Sequence, residues 1–432
     1  MRRLAALAPI FLALSAASGC ARCSAHHDAP DAGPMPPPTL PALLPAPRPW
    51  SFARVRTDAG IALPERCRFR APITRAEVGT LTRFVAEPHA LSTLVIADAD
   101  GSPPRLTGVG ALTLDPEGAT RDPVALPWFE PNAVPRLAKV GEAWIAALDR
   151  AGFDGARVAL WQHGGAATIG EGDGFEAVDL ACAGGTSAAL DGGITSADAG
   201  STSASGARCA LLTTRPLKVA APGATVWIGA PEEAASRWKP IEILPAAADS
   251  DAHPLGVAMI DAASTGARVM TALAEKGEVV IHEAGESGAR EIARLPAPHG
   301  ALDVIALPRP VVMAFTSAVD DDGCARDGKP GVRFVREGAA PIDFAMPAPP
   351  SHGVLRRLAR GAIAAWIAPI GCRQARKVVY AVVLDESGAP AGSPIPVGDA
   401  SGFALTARGD DVDLWLQDAS SVTWVRAGCG PR

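Results

Sequence analysis

Residues 351–398 read SHGVLRRLARGAIAAWIAPIGCRQARKVVYAVVLDESGAPAGSPIPVG. Turns rich in Gly, Pro, Asp or Ser separate four short apolar or alternating runs in this stretch, which are residues 354–358, 363–370, 378–384 and 394–397. Runs of this length and composition predict β-strands, and no part of the stretch keeps a helical period. We therefore interpret it as one unit of four short strands.

The second run of this unit recurs along the chain from Trp50 onward. Each copy is an apolar segment closed by a turn that bears Gly or Asp, and the copies are residues 92–101, 142–152, 206–215, 266–277, 310–323, 361–371 and 410–420. A unit of four strands in about 50 residues has the size of one β-propeller blade. Seven copies therefore predict an all-β protein, a seven-bladed β-propeller. The Ser/Gly/Thr-rich residues 192–206 are interpreted as a loop insertion in the third unit.

The last unit predicts how the propeller closes. From Gly402 onward the sequence has room for only three strands. A propeller has to close without an open edge, so the fourth strand must come from elsewhere in the chain. Residues 66–73 alternate between Arg on one face and Cys or apolar residues on the other. This pattern suits an outermost strand with one solvent-exposed face. The sequence thus predicts that residues 66–73 pair beside residues 422–427.

The N-terminus has the pattern of an export signal. Arg2 and Arg3 precede an apolar run over residues 4–17, and the sequence continues Ala17-Ser18-Gly19-Cys20. This ending resembles the lipobox of bacterial lipoproteins, although its first position is Ala rather than Leu. The resemblance implies that Cys20 is acylated and anchors the protein to a membrane, and Ala21 after it favours the outer membrane, facing the periplasm or the cell surface. The alternative is ordinary secretion with cleavage nearby.

Three regions follow from these patterns. Residues 1–20 are the predicted signal peptide, residues 21–49 a disordered Pro-rich tether, and residues 50–432 the propeller domain. Six cysteines lie in the propeller region, and an even number in an exported chain indicates disulfides. The positions in the repeat favour the pairs Cys67–Cys429, Cys182–Cys209 and Cys324–Cys372. Buried unpaired thiols are the alternative.

The composition argues against several functions. The formal net charge of the 432 residues is −6, and acidic residues interleave with the 34 Arg, so we expect no nucleic-acid partner. No phosphate-binding loop, dinucleotide fingerprint or G-x-S-x-G motif occurs in the sequence, so neither a cofactor nor a catalytic residue is predicted. No metal site is predicted either. We expect a monomer.

The candidate ligand-binding side chains are three histidines. His253, His299 and His352 each stand just before a unit's first strand, near the expected mouth of the central channel. They could converge on a ligand there. The alternative is that each one hydrogen-bonds within its own turn, as Asp and Ser could do at the equivalent positions of other units. Tryptophans inside the strands, at positions 144, 366 and 415, are interpreted as core.

Two classes of function remain. The first is a non-enzymatic interaction scaffold at the cell envelope that presents a propeller face to a protein, peptide or glycan. The second is an exported lyase or hydrolase that acts on carbohydrate or peptide at the channel mouth. A converging cluster of carboxylates or histidines at the mouth would favour the enzyme.

Overall fold

A computed structural model describes residues 43–56, 60–79, 83–86, 91–100, 105–126, 136–140, 143–150, 157–162, 168–169, 176–183, 207–214, 223–233, 237–244, 252–261 and 267–430. The predicted signal peptide, the predicted acylation site Cys20, the predicted tether up to residue 42 and the predicted loop insertion at 192–206 lie outside these residues. The described residues contain no helix with the length and hydropathy needed to cross a bilayer.

The strands are short and antiparallel throughout. Three precede the repeats: β1 (Ala53–Arg54), β2 (Cys67–Phe69) and β3 (Thr74–Glu77). The first sheet holds β4 (Arg83–Ala86), β5 (Thr93–Asp100), β6 (Arg105–Leu114) and β7 (Thr120–Ala125). The second holds β8 (Arg136–Val140), β9 (Ala143–Arg150), β10 (Arg157–Gln162) and β11 (Thr168–Ile169). The third holds β12 (Glu176–Ala183), β13 (Arg208–Thr214), β14 (Ala224–Gly229) and β15 (Lys239–Leu244).

The second half of the chain repeats the same arrangement. The fourth sheet holds β16 (His253–Asp261), β17 (Arg268–Glu275), β18 (Glu278–Gly285) and β19 (Gly288–Pro296). The fifth holds β20 (Ala301–Ile305), β21 (Val311–Phe315), β22 (Gly331–Arg336) and β23 (Ile342–Ala345). The sixth holds β24 (His352–Arg357), β25 (Ala362–Pro369), β26 (Lys377–Leu384) and β27 (Ile395–Asp399). The closing sheet joins β28 (Gly402–Arg408), β29 (Asp411–Gln417) and β30 (Ser421–Cys429) to β1, β2 and β3.

The sheets are arranged around a central axis, as in a β-propeller. In every sheet the first strand of the repeat is the inner one, and six neighbouring pairs of inner strands contact each other: β8 with β12, β12 with β16, β16 with β20, β20 with β24, β24 with β28, and β28 with β4. The first and second sheets share an apolar cluster that includes Val95 and Trp144. Each of the seven runs that the sequence predicted as a second strand contains the second strand of a sheet. The all-β propeller fold predicted from the repeats is therefore confirmed.

The closing sheet uses the N-terminal chain as predicted, but over two strands instead of one. Cys67 pairs with Cys429 and Phe69 with Ala427 in β2, whereas β3 pairs Thr74 with Trp424. The predicted single strand over 66–73 is wrong in its extent, because Pro72 has no N–H to donate and the pairing resumes only at Thr74. Phe69, which the alternation placed on the buried face of this strand, is 39% exposed.

Residues 43–56 and 60–79, called the belt below, cross the outer edges of three sheets. Ser51 bridges Ala119 beside β7, β2 and β3 pair with β30, and the N–H of Ala62 donates to the carbonyl of Val397 in β27 at 3.1 Å. The start of the belt, which the sequence assigned to the tether, also contacts the first sheet, where Pro47 is buried. A Cβ at position 110 would lie 2.7 Å from the ring of Pro47, so Gly110 leaves the space that this ring occupies.

The core lies between neighbouring sheets. Phe334 of the fifth sheet packs edge-on against Trp366 of the sixth, with ring centroids 6.1 Å apart. Trp366 and Trp415 are fully buried and Trp144 is 2% exposed, which confirms the sequence-based interpretation of the strand tryptophans as core. Among the described residues, buried apolar side chains form clusters that are each shared by two neighbouring sheets.

Three disulfides connect the pairs that the repeat positions predicted: Cys67–Cys429, Cys182–Cys209 and Cys324–Cys372. The first joins the belt to the last strand across 362 residues. The second joins the first two strands of the third sheet across 27 residues. Both are buried, whereas the third joins partly exposed loops of the fifth and sixth sheets.

The long-range disulfide should stabilise the fold more than the local one. In the chain-entropy model a loop of a few hundred residues contributes about 5 kcal/mol or more, and a loop near 27 residues about 3.5 kcal/mol. We predict that Cys67→Ser lowers the melting temperature more than Cys182→Ser does, as measured by calorimetry of the oxidised proteins. Equal losses would show that the ring is held closed without the Cys67–Cys429 bond.

Candidate functional site: the central channel

Two inner strands carry an aspartate at the same position of the repeat. The sequences are Ala177-Val178-Asp179-Leu180 in β12 and Ala301-Leu302-Asp303-Val304 in β20. In both strands the pairing with the second strand skips one residue directly before the aspartate. Such a bulge changes the direction of the side chain that follows it, so an equivalent bulge in each strand positions its carboxyl group.

Each of these aspartates connects its own sheet to the next one. Asp179 accepts the N–H of Leu180 on Oδ1 and the N–H of Val257 in β16 on Oδ2, both at 2.9 Å. A Cβ at Gly256 would lie 3.2 Å from Oδ2 of Asp179, so the glycine allows this approach. The carboxylate therefore bridges the third and fourth sheets.

Asp303 repeats this arrangement two sheets further on. Its Oδ1 accepts the N–H of Val304 at 2.8 Å, and its Oδ2 accepts the N–H of Leu355 in β24 at 2.6 Å. The carboxylate therefore bridges the fifth and sixth sheets, and 30% of its side chain stays exposed.

Two arginines accompany the aspartates. Arg356 in β24 places Nη1 3.8 Å from Oδ2 of Asp303, and it donates to the carbonyls of Leu355 and Leu405 at 2.9 and 3.3 Å. Arg136 at the start of β8 acts on Asp179 through its charge, and its Nε is buried without a hydrogen-bond partner in the described residues. Two acidic and two basic side chains from four inner strands thus act on one another through their charges.

Partial loss of solvent raises the pKa of both acids. It raises the pKa of Asp303 to about 6, the charge of Asp179 acts in the same direction, and the charge of Arg356 opposes it. Burial also raises the pKa of Asp179, against the amide of Val257 and the charge of Arg136. Desolvation disfavours the ionised form of a carboxyl group, and it outweighs the nearby cations here.

The three predicted histidines lie where the repeat placed them. His253 and His352 are the first residues of β16 and β24, and His299 is in the turn before β20. The ring of His352 lies 5.2 Å from that of Phe403 on the closing sheet, and burial lowers its pKa, as does the charge of Arg356. Within the described residues no group of three or more His, Cys, Asp or Glu is placed to hold a metal ion. A shared ligand of the three histidines stays a prediction.

The sequence-based reasoning missed Asp179 and Asp303. Their signal was present, since an aspartate inside an otherwise apolar first strand recurs at the same place in two units. The two serve as inter-sheet connections, and that role depends on amides of the next sheet, which no catalytic motif specifies. In chemical terms the cluster can exchange protons near neutral pH and can pair with both signs of charge.

A third carboxyl group is buried where the chain closes on itself. Asp413 in β29 is fully buried, and its Oδ2 accepts the hydroxyl of Ser92 in the first sheet at 2.8 Å. Its Oδ1 lies 3.8 Å from Nε of Arg426. Burial raises the pKa of Asp413 to about 6, and the bond from Ser92 and the charge of Arg426 oppose this shift.

No protein-family model matches the chain. No curated protein matches it in sequence. Among solved structures, it is similar to a subtype N10 neuraminidase-like protein from a little yellow-shouldered bat isolate, with 8% identity, coverage of 84% of this chain and 100% of that one, and a TM-score of 0.43. It is also similar to an acylaminoacyl peptidase of Pyrococcus horikoshii, with 8% identity, coverage of 80% and 53%, and a TM-score of 0.41. A prolyl endopeptidase structure matches with 15% identity, coverage of 79% and 46%, and a TM-score of 0.40. At these sequence identities and TM-scores, neither the activity nor the residue roles of those proteins can be transferred to this chain.

The connecting role of Asp303 can be tested through the amide that it binds. Asp303→Ala removes the acceptor of the Leu355 N–H, and we predict that hydrogen exchange at this amide becomes about tenfold faster, the effect of losing roughly 1.4 kcal/mol. Asp343→Ala is the matched control, because it removes only an ion pair of partly exposed side chains with Arg333. Unchanged protection at Leu355 would mean that other contacts hold the two sheets together.

Asp413 predicts a pH dependence of stability. Its pKa near 6 in the folded protein is above the value near 3.8 of an exposed aspartate, so its stabilising contribution is complete below pH 3.8 and is lost as pH rises through 6. We predict that the free energy of unfolding of the wild type, relative to Asp413→Asn, falls by about 2–3 kcal/mol between pH 4 and pH 7. Urea unfolding of both proteins across this range measures the difference, and parallel curves would contradict it.

Proposed function

We propose that the protein is an exported, lipid-anchored, seven-bladed β-propeller that acts as a non-enzymatic binding scaffold at the cell envelope. Its partner would be a protein, peptide or glycan, and it would act as a monomer. The seven-bladed count takes the closing sheet as the seventh blade, because β28, β29 and β30 supply three strands and the belt supplies the outer one. Six four-stranded sheets account for the other blades.

The scaffold proposal rests on the hydrogen bonds that the carboxylates of Asp179 and Asp303 accept. Both oxygens of Asp179 and both oxygens of Asp303 accept main-chain N–H groups, and in each case one of these groups belongs to the next sheet. A general acid or base has to pass a proton to a substrate atom within hydrogen-bond reach. Carboxylates that are engaged twice with the backbone are better suited to hold the blades together.

The proposed location rests on two observations. The three disulfides indicate an oxidising, exported environment. The lipobox-like residues 17–20 support acylation at Cys20, and Ala21 supports the outer membrane over the inner one. The Pro-rich residues up to 42 would then hold the propeller away from the anchor.

The second candidate is an exported lyase or hydrolase that acts on carbohydrate or peptide. It is favoured by the protonation of Asp303, because a carboxyl group with a pKa of about 6 beside a second carboxyl and an arginine resembles a general acid at neutral pH. In this case the cluster of Arg136, Asp179, Asp303 and Arg356 would bind the reacting group.

One experiment separates the two candidates. The purified protein is screened for binding on peptide and glycan arrays, and each ligand found is then incubated with it and followed by mass spectrometry. A scaffold leaves its ligand unchanged, and Asp303→Asn then binds the ligand as the wild type does. Product formation that Asp303→Asn slows by about a hundredfold or more would establish the enzyme instead.

Acylation at Cys20 is tested separately. We predict that metabolic labelling with a palmitate analogue marks the wild-type protein, that Cys20→Ala abolishes the label because its thiol is the attachment point, and that Cys23→Ala keeps it. Label that survives Cys20→Ala would place the lipid on another residue, and an unlabelled wild type would indicate ordinary secretion.

A further inference from the structure

The charge of the protein is unevenly distributed between the belt and the rest of the chain. Residues 43–79, which contain the belt, carry seven Arg against Asp58, Glu65 and Glu77, a net charge of +4, whereas the whole chain has −6, so the residues outside 43–79 sum to −10. All seven arginines are exposed: Arg48, Arg54, Arg56, Arg66, Arg68, Arg70 and Arg75. A basic strip on an acidic protein creates a local positive field that attracts polyanions.

Part of this charge is not neutralised within the protein. Arg70 pairs with Asp411 at 3.4 Å, and Arg75 pairs with Glu77 and Asp418 at 3.7 and 3.8 Å. For Arg54, Arg66 and Arg68 the described residues provide no ion pair, although all three lie in or beside the outermost strands of the closing sheet. Their guanidinium groups are therefore available to an external anion.

The same strip exposes apolar side chains. The large hydrophobic residues exposed in the described part of the chain are Leu43, Phe69, Ile292 and Val319, and two of these four belong to the belt. Phe69 is 39% exposed and stands between Arg68 and Arg70 in sequence. An exposed aromatic ring flanked by arginines is typical of a surface that meets the interface of a bilayer, where the ring enters the headgroup region and the cations meet phosphate.

We propose that the belt is a membrane-contact surface that binds the phosphate headgroups of anionic phospholipids, with Arg54, Arg66 and Arg68 as the main contacts and Phe69 as the apolar one. Arginine binds phosphate through paired N–H donors, and each cation near an anionic surface adds to the attraction. The negative charge of the remaining propeller is repelled by the same surface, which would orient the outer edge of the closing sheet toward the bilayer.

The position of the belt in the chain fits this partner. Cys20, the proposed acylation site, is separated from Leu43 by 22 residues, so an anchored lipid would hold the belt within about 70 Å of the membrane even if this segment were fully extended as polyproline II. The orientation rests on the proposed anchoring, whereas the attraction of the belt to anionic lipid does not.

The test uses the chain from Ala21 onward without the lipid, because Leu40–Arg432 forms one compact unit and this chain contains all of it. Flotation is measured with vesicles of phosphatidylcholine and with vesicles in which about one third of the lipid is phosphatidylglycerol. We expect binding to the anionic vesicles only, lost in about 0.5 M NaCl. Equal binding to both vesicles, or binding to neither, overturns the proposal.

The charge-reversal variant Arg66→Glu/Arg68→Glu should bind the anionic vesicles at least about tenfold more weakly. The control variant Arg326→Glu/Arg408→Glu makes the same charge change at two exposed arginines outside the belt and should bind as the parent does. Melting temperatures equal to that of the parent exclude unfolding in either variant. Equal losses in the two variants would mean that net charge alone governs binding, and the belt would then not be the site.

Two further outcomes distinguish related explanations. Phe69→Ala should weaken binding to the anionic vesicles several-fold, because the ring supplies the apolar part of the contact. Soluble polyphosphate that binds the belt while the vesicles do not would show a polyanion site instead of a membrane surface. Because the chain is not acylated, a failure here leaves the Cys20 labelling result untouched, and a failure of that labelling leaves the vesicle result untouched.

Discussion

The pairing of β30 with the N-terminal strands is the interaction on which the rest of the structure depends. β30 is the third strand of its sheet, and without β2 and β3 its outer edge would present unpaired N–H and C=O groups. The hydrogen bonds to residues 67–69 and 74–77 satisfy that edge, and the Cys67–Cys429 bond fixes their register. Since every sheet packs on two neighbours, the closure of this sheet is what keeps the first and sixth sheets in place.

Three carboxyl groups, one buried and two half-buried, connect neighbouring sheets from inside the ring. Asp179 connects the third sheet to the fourth, Asp303 the fifth to the sixth, and Asp413 the closing sheet to the first. Each carries a raised pKa, so desolvation weakens the charged form while the hydrogen bonds specify the geometry. Apolar packing between blades has little directional preference, and these few polar contacts fix how one blade is aligned with the next.

The sequence predicted those parts of the structure that repeat. Seven apolar runs identified the second strands, and the repeat positions of the six cysteines identified the disulfides, because a repeat converts sequence position into spatial position. The belt was predicted less well. Pro72 interrupts the strand expected at 66–73, and Pro47, which was assigned to the tether, packs on a sheet. Asp179 and Asp303 were missed because their role depends on which amide of the next sheet lies opposite, a relation between blades that no single run of sequence contains.

The Cys67–Cys429 bond also changes what a single cut in the chain can do. It makes residues 67–429 one covalent loop, and the chain before Cys67 is an open branch. A protease that cleaves once inside the loop, for example in the Ser/Gly/Thr-rich insertion, leaves a nicked ring whose two pieces stay joined. A single cut in the open branch has the opposite result, because it detaches the intact ring from everything that precedes it. The one linkage therefore makes the ring tolerant of nicking and confines its release to the N-terminal branch.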